Sequence, residues 1–234
     1  MKSTRLYYIK WLYEILEDIE NRVGGKRCLR ECNGKMRWPR RGIYFFFEHG
    51  EERVHSGSGL RVVRVGTHAL KPHSRSTLWE RLRTHRGTRS GGNHRASVFR
   101  RHIGEAILKR EGLEGKFPTW GKGSSASAEV RQKERQLEQE VSKYIGAMPF
   151  LWLEVDDPPG PNCLRTYLER NIIALLSNYR YPEGQKIDPP SRCWLGNYSP
   201  NEKIRRSGLW NDRHVDEEWD PGALEKLEKL VKRL

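Results

Sequence analysis

Apolar residues recur at helical spacing near the start of the chain, where Leu6, Ile9, Leu12, Tyr13, Leu16 and Ile19 alternate with charged positions. The pattern predicts an amphipathic helix over residues 6–22, stopped by Gly24-Gly25. A basic connector carrying Cys28 and Cys32 leads to Trp38-Pro39, and residues 42–48 then form an aromatic run that favours strand. Residues 49–59 are polar and glycine-containing, a turn. Residues 60–65 predict a second strand closed by Gly66, antiparallel to the first. Thr77-Leu-Trp-Glu80 matches a capping box, so a helix starts there and carries Leu78, Arg81, Leu82 and His85.

Residues 86–92 read as a glycine-rich basic loop and 96–109 as a helix, followed by a Gly/Ser-rich linker at 117–127. A highly charged helix at 129–144 has few apolar residues and is expected to be solvated or to lie along a partner. A third strand spans 150–155, ended by Asp156-Asp157-Pro158-Pro159, and a strongly apolar helix spans 164–176. Residues 194–219 are aromatic but irregular, and 223–234 form a terminal helix. This order implies a small α+β layer structure. We expect an N-terminal helical extension at 1–37, a core at 38–180 with a helical insertion at 103–147, and a C-terminal extension at 181–234 packed on the core.

Composition sharpens this picture. The 234 residues suit one elaborated domain, and 35% apolar content with eight Trp and nine Tyr suffices for a core. A formal net charge of +14 implies an anionic partner, nucleic acid ahead of a membrane surface or an acidic protein. Four cysteines (Cys28, Cys32, Cys163, Cys193) make no disulfide framework, and Cys28-x3-Cys32 lacks further zinc ligands at matching spacing, so reduced thiols are expected. Nothing approaches the roughly eighteen apolar residues of a membrane span, and the chain reads as soluble and cytoplasmic with no membrane partner.

Candidate chemistry follows from position. Ile43, Phe45 and Phe47 share one strand face, leaving Tyr44 on the other with Phe46. Val63 and Val65 match the core set by parity, so Arg64 is free to share the face of Tyr44. Arg81 and His85, four apart, project from one side of their helix, where a guanidinium neutralises phosphate charge and an imidazole relays a proton. Glu169 stands on the apolar face of its helix with Ile172, Ile173 and Leu176, so it needs a partner. That partner is either a metal ion or Arg165 one turn earlier. A single carboxylate completed by water and phosphate oxygens is a common Mg²⁺ arrangement. Between Arg75 and His102 the only acid is Glu80. We therefore expect Arg75, Arg83, Arg86, Arg89, His94, Arg95, Arg100 and Arg101 to face nucleic acid.

Gly42-Ile43-Tyr44, then Val63-Arg64-Val65-Gly66, Leu78-x-x-Arg81-Leu82-x-x-His85 and the later helical Glu169 together resemble the GIY-YIG nuclease superfamily. Residues 42–48, 61–70 and 76–87 are similar to its restriction-enzyme-like branch, and the resemblance covers roughly residues 38–178. It implies a small three-stranded antiparallel sheet flanked by helices, and an endonuclease that hydrolyses phosphodiester bonds of double-stranded DNA with one divalent ion, Mg²⁺ or Mn²⁺, and no small-molecule cofactor. By it, Tyr44 deprotonates or orients water, Arg81 stabilises the developing charge, His85 assists proton transfer and Glu169 holds the metal. A family asparagine follows the glutamate helix; Asn178 is the nearest candidate and Asn197 the other. Arg64 replaces the family's second tyrosine, and the expectation is that it eases deprotonation of Tyr44 or contacts the scissile phosphate. A non-catalytic DNA- or RNA-binding protein that keeps the nuclease fold is the alternative. The insertion and residues 194–219 are candidates for recognition or homodimer contacts.

Overall fold

The structure, a computed structural model, describes residues 2–233. Its helices are α1 Lys2–Val23, α2 Leu78–Arg86, α3 Val98–Glu111, α4 Ala128–Ala147, α5 Leu164–Leu176, α6 Glu202–Ser207 and α7 Gly222–Val231. Its strands are β1 Arg27–Cys28, β2 Gly42–Glu52, β3 Leu60–Gly66 and β4 Pro149–Glu154. All four lie in one antiparallel sheet, in the spatial order β1–β4–β2–β3. The expected sheet thus gains an edge strand. β1 is two residues pairing with Phe150 and Pro149, too short to show alternation in the sequence.

Both sheet faces are covered, which is why β2 and β4 are apolar at successive positions. Ile43, Phe45 and Phe47, with Val62, Val65, Leu151 and Leu153, face a core shared with α1, α5 and α7. Tyr44, Phe46, Val63, Phe150 and Trp152 face a second core shared with α2, α3 and α4. Parity is broken at one place. Phe46 pairs with Arg64 but Phe47 pairs with Val62, so Val63 is the extra residue of a β-bulge. The bulge turns Val63 away from the face of Val65, where parity alone places it. It leaves Arg64 on the face of Tyr44, as expected.

Helix ends follow local chemistry. Gly24 and Gly25 adopt φ of 79° and 99°, and the Gly25 N–H donates to the Glu20 carbonyl at 2.8 Å, closing α1. At the end of α5, Arg5 is buried and donates to the carbonyls of Leu175 and Ser177, both at 2.8 Å, and of Leu176 at 3.1 Å. A guanidinium here satisfies acceptors the helix cannot. α3 begins two residues later than its periodicity suggests because Ser97 caps it. The terminal helix ends at Val231, and Leu234 lies outside the described residues.

The irregular aromatic segment is packing. Trp194 and Trp210 are buried, and each donates its indole N–H to Glu48 at 3.2 Å. Beside β3, the Trp210 N–H donates to Val63 O at 2.7 Å. Asn211 pairs its side chain with both N–H (3.1 Å) and C=O (2.9 Å) of Val65. The open edge of β3 is closed in this way.

Candidate active site

The capping box forms as its residue types require. Thr77 Oγ1 accepts from the Glu80 N–H at 3.3 Å, and Glu80 accepts from the Thr77 N–H at 2.8 Å. It sets the start of α2, whose inner face carries Leu78, Leu82 and His85. The phenol of Tyr44 lies across Gly66. A Cβ at that position would stand 2.4 Å from the phenol carbon and oxygen, so only glycine fits.

Tyr44 and His85 are completely buried, with Tyr44 Oη 2.8 Å from His85 Nε2. On its other side, His85 Nδ1 is 2.8 Å from Ser97 Oγ, which also accepts the Arg100 N–H at 3.2 Å. A relay therefore runs from Tyr44 through His85 to Ser97. Burial drives the imidazole well below its ordinary value, and the cations Arg81, Arg64 and Arg100 push it further, so His85 is neutral at physiological pH.

Two guanidiniums stand beside this relay. Arg64 is buried, lies 4.5 Å over the Phe99 ring and donates to the Trp210 carbonyl at 2.6 Å. Arg81 reaches only the Ala96 carbonyl, at 3.4 Å. Arg64 feels Tyr44, Arg81, Glu169 and Asp212 electrostatically, and Glu169 in turn feels Arg64, His214 and Arg81, which places these groups in one neighbourhood. Among the described residues neither Arg64 nor Arg81 makes an ion pair, and the Nε of each is buried without a partner.

For Glu169 the structure removes one of the two partners the sequence offers. Arg165 ion-pairs with Asp157 and donates to the His68 carbonyl, so it is not the partner of Glu169. The carboxylate instead accepts the Thr67 N–H at 3.1 Å. Desolvation raises it above the usual carboxylate range, and Arg64, His214, the Thr67 bond and Arg81 offset this only in part. Among the described residues Glu169 makes no ion pair either, so a half-buried carboxylate and two guanidiniums stand in this neighbourhood without ion-pair partners.

A family model described as GIY-YIG domain matches residues 3–234. The chain belongs to the GIY-YIG family. Comparison with curated proteins and with solved structures gave no match. Members of the family are endonucleases that use divalent metal ions, and the chain is accordingly a phosphodiester hydrolase acting on DNA. The match takes in α1 and the C-terminal segment as well as the motif-bearing stretch.

Within this GIY-YIG site the structure gathers Tyr44, Arg64, Arg81, His85 and Glu169. The asparagine candidates do not join them. Asn178 is buried at the end of α5, where it accepts from Arg5 at 3.2 Å and pairs with Ile187 N–H and C=O at 3.0 and 2.9 Å. Asn197 donates to the Ser191 and Arg192 carbonyls. The asparagine beside the site is Asn211, whose neighbour Trp210 holds Arg64.

Several expected nucleic-acid contacts are spent elsewhere. His94 contacts Glu138 at 2.9 Å and stacks on Trp120, Arg95 pairs with Glu134 at 2.6 Å, and buried Arg100 pairs with Glu138. Arg101 lies 3.7 Å from Glu105, and Arg86 donates to the Cys32 carbonyl beneath Trp79. The acids that meet His94, Arg95 and Arg100 come from α4, more than thirty residues along the chain, where a local charge count does not reach. Arg75, Arg83 and Arg89 are exposed.

Residues the sequence reading missed are Ser97, Thr67, Trp210, Asn211 and Asp212. Asp212 lies 3.1 Å from His102 Nε2 and is held down at about 2, first by that contact. Only Ser97 had a signal, a serine just before a helical pattern.

Two outcomes follow here. Ser97→Ala removes the Nδ1 partner of His85 and the α3 cap, and should lower cleavage about 10- to 100-fold, as loss of outer hydrogen-bond partners does, with roughly 1 kcal/mol of stability. Ser97→Thr should restore most of the rate; steady-state kinetics of the pair checks this. Glu138→Ala leaves buried Arg100 uncompensated and should cost about 3–5 kcal/mol, measured by urea denaturation. A loss below 1 kcal/mol, in scale with a surface pair, would contradict the buttress.

Proposed function

We propose that this GIY-YIG protein is a divalent-metal-dependent endonuclease cutting double-stranded DNA, with the scissile phosphate held by Arg64 and Arg81 between Tyr44 and Glu169. The observation that carries the reading is the pair of neighbouring guanidiniums with no ion-pair partner. Like charges held close are costly, and the phosphate of the substrate, with its trigonal-bipyramidal charge build-up, offsets them.

The donor set fits a hard cation. Among the described residues no group of three or more His, Cys, Asp or Glu is arranged so that it could hold a metal ion. Glu169 alone would hold Mg²⁺ or Mn²⁺, with water and phosphate oxygens completing the shell. When bound, the ion supplies Lewis-acid stabilisation of the phosphate oxygens. The chain's own groups do the rest. With its proton on Nδ1 and directed at Ser97, neutral His85 accepts the Tyr44 hydroxyl proton in a hydrogen bond and fixes the phenol rotor. Tyr44 then orients the attacking water. As the water oxygen bonds to phosphorus and the P–O bond to the leaving oxygen breaks, Tyr44 takes the water's proton while its own hydroxyl proton passes to His85 Nε2. The leaving oxygen is protonated from solvent, and Arg64 and Arg81 stabilise the charge on the non-bridging oxygens.

The likeness of residues 42–48, 61–70 and 76–87 to restriction-enzyme-like members extends the proposal to site-specific cutting by a cytoplasmic homodimer. No helix among the described residues is long and apolar enough to cross a membrane. One observation favours the alternative, a binding-only protein: Tyr44 is 0% exposed, so water reaches it only if substrate binding opens the site. Incubation with plasmid DNA in Mg²⁺ or in EDTA separates the two. Cleavage in Mg²⁺ and none in EDTA is expected; binding without cleavage on any DNA supports the alternative.

A further inference from the structure

The inner face of α4 locks the second core through Glu134, Leu137, Glu138, Val141 and Ile145. Its outer face is otherwise unaccounted for. There Arg131, Arg135, Gln139 and Lys143 follow one another at four-residue intervals, a ridge spanning about 18 Å at 1.5 Å per residue. The three cations on this ridge are exposed, and among the described residues none makes an ion pair. Beside the ridge runs the turn 87–91, pinned by the Thr88–Gly91 bridge and by Gln139 Nε2 donating to the Arg89 carbonyl at 3.4 Å. The close approach requires glycine: a Cβ at Gly91 would stand 2.9 Å from that of Glu138, and the residue has φ of 106°. Between ridge, turn and the 29–31 segment lies an open polar groove of about 770 Å³, with Arg30, Arg89 and Lys143 on its rim against Glu31 and Glu140.

This groove adjoins the reaction centre. Its wall includes Gly87, six residues past Arg81 and immediately after the helix that carries His85. Six residues of helix separate Arg81 from Gly87, roughly 9 Å. A DNA strand presents a phosphate about every 3.4 Å of helix axis, so a duplex cut at Arg81 passes the groove within a few base pairs.

We propose that the α4 ridge and the 87–91 turn form a track for the phosphodiester backbone of duplex DNA flanking the cut, contacted by Arg30, Arg89, Arg131, Arg135 and Lys143. The inference rests on the endonuclease reading and gives the inserted helix a second task beyond buttressing Arg100. Exposed, unpaired arginines spaced along a helix suit sequence-independent phosphate contacts, and the shape of the groove suits a strand rather than a compact ion.

The test is the salt dependence of duplex binding in EDTA, read by fluorescence anisotropy on a duplex of about two helical turns. Arg89→Gln, Arg131→Gln, Arg135→Gln and Lys143→Gln are combined. Each lost contact should flatten the log K against log salt slope by about 0.9, so the four together by three to four. A control variant neutralises Lys226, Lys229, Lys232 and Arg233, on the α7 side of the sheet, removing the same net charge. The control should keep both the wild-type slope and the wild-type rate of plasmid cleavage.

A wild-type slope in the track variant, or an equal flattening in the control, overturns the track while leaving the nuclease reading intact. A flattening seen on duplex RNA but not DNA overturns the choice of partner. If the wild-type protein neither binds nor cuts DNA, both readings fall together.

Discussion

Glu169→Gln should reduce Mg²⁺-supported cleavage by about a thousandfold or more, the several kcal/mol a metal-held phosphate contributes, without weakening the fold. Glutamine keeps an oxygen for the Thr67 N–H, so the local hydrogen bond survives. It removes the negative charge on which a cation depends. The stability side has a definite sign. Folding raises the carboxyl of Glu169 above its unfolded value, so its contribution is fully favourable below the unfolded value and is lost as pH rises through the folded one. Wherever the wild-type carboxyl is ionised it stands in a place that disfavours ionisation, and the neutral variant carries no such charge. Because the side chain is partly exposed, the gain is at most about 1 kcal/mol, roughly 2–4 °C in Tm for a chain this long. The difference should shrink as pH is lowered towards 4 and the wild-type carboxyl protonates. Thermal melts at several pH values with cleavage assays at matched pH check both halves. A variant that keeps cutting, or melts several degrees lower at neutral pH, would show that Glu169 is a structural residue.

A residue that weakens the fold where it stands is the kind of position that sequence patterning exposes. Glu169 is legible because a carboxylate on an apolar helix face contradicts its surroundings, and Tyr44 because strand alternation separates it from Ile43, Phe45 and Phe47. The capping box at Thr77–Glu80 and the stop at Gly24-Gly25 are legible for the same reason, since their chemistry is complete within a few residues. What local patterning does not carry is pairing at a distance. Arg95 and Arg100 look like free cations until α4 brings Glu134 and Glu138 against them. Asn178 looks like a site residue until Arg5, from the far end of the chain, takes its side chain. The bulge at Val63 is hidden because it is fixed by what β2 presents, not by anything in β3. Trp210 and Asn211 lie in a segment without periodicity, yet they hold Arg64 and close the sheet edge.

Arg64 is held at that same place. Arg64→Ala should lower cleavage by about 10²–10⁴-fold, the range for loss of a preorganised donor to developing charge, and should also cost stability. The change leaves a space beside Phe99 and the Trp210 carbonyl without its 2.6 Å donor. Arg64→Lys keeps the charge but not the planar fork or the stacking on Phe99, and an intermediate loss is expected. Arg64→Tyr supplies a ring without the cation and should not restore activity, because the charge is what Tyr44, Arg81 and Glu169 feel here. The pH profile distinguishes this from simple damage. Arg64 is the largest electrostatic influence holding the Glu169 carboxyl down against desolvation. Without that cation Glu169 ionises at higher pH, so the acid limb of the rate profile should move to higher pH in Arg64→Ala and Arg64→Tyr but little in Arg64→Lys. An unchanged rate with an unmoved acid limb would make Arg64 incidental. A lowered rate with an unmoved limb would make it a packing residue whose charge the reaction does not use.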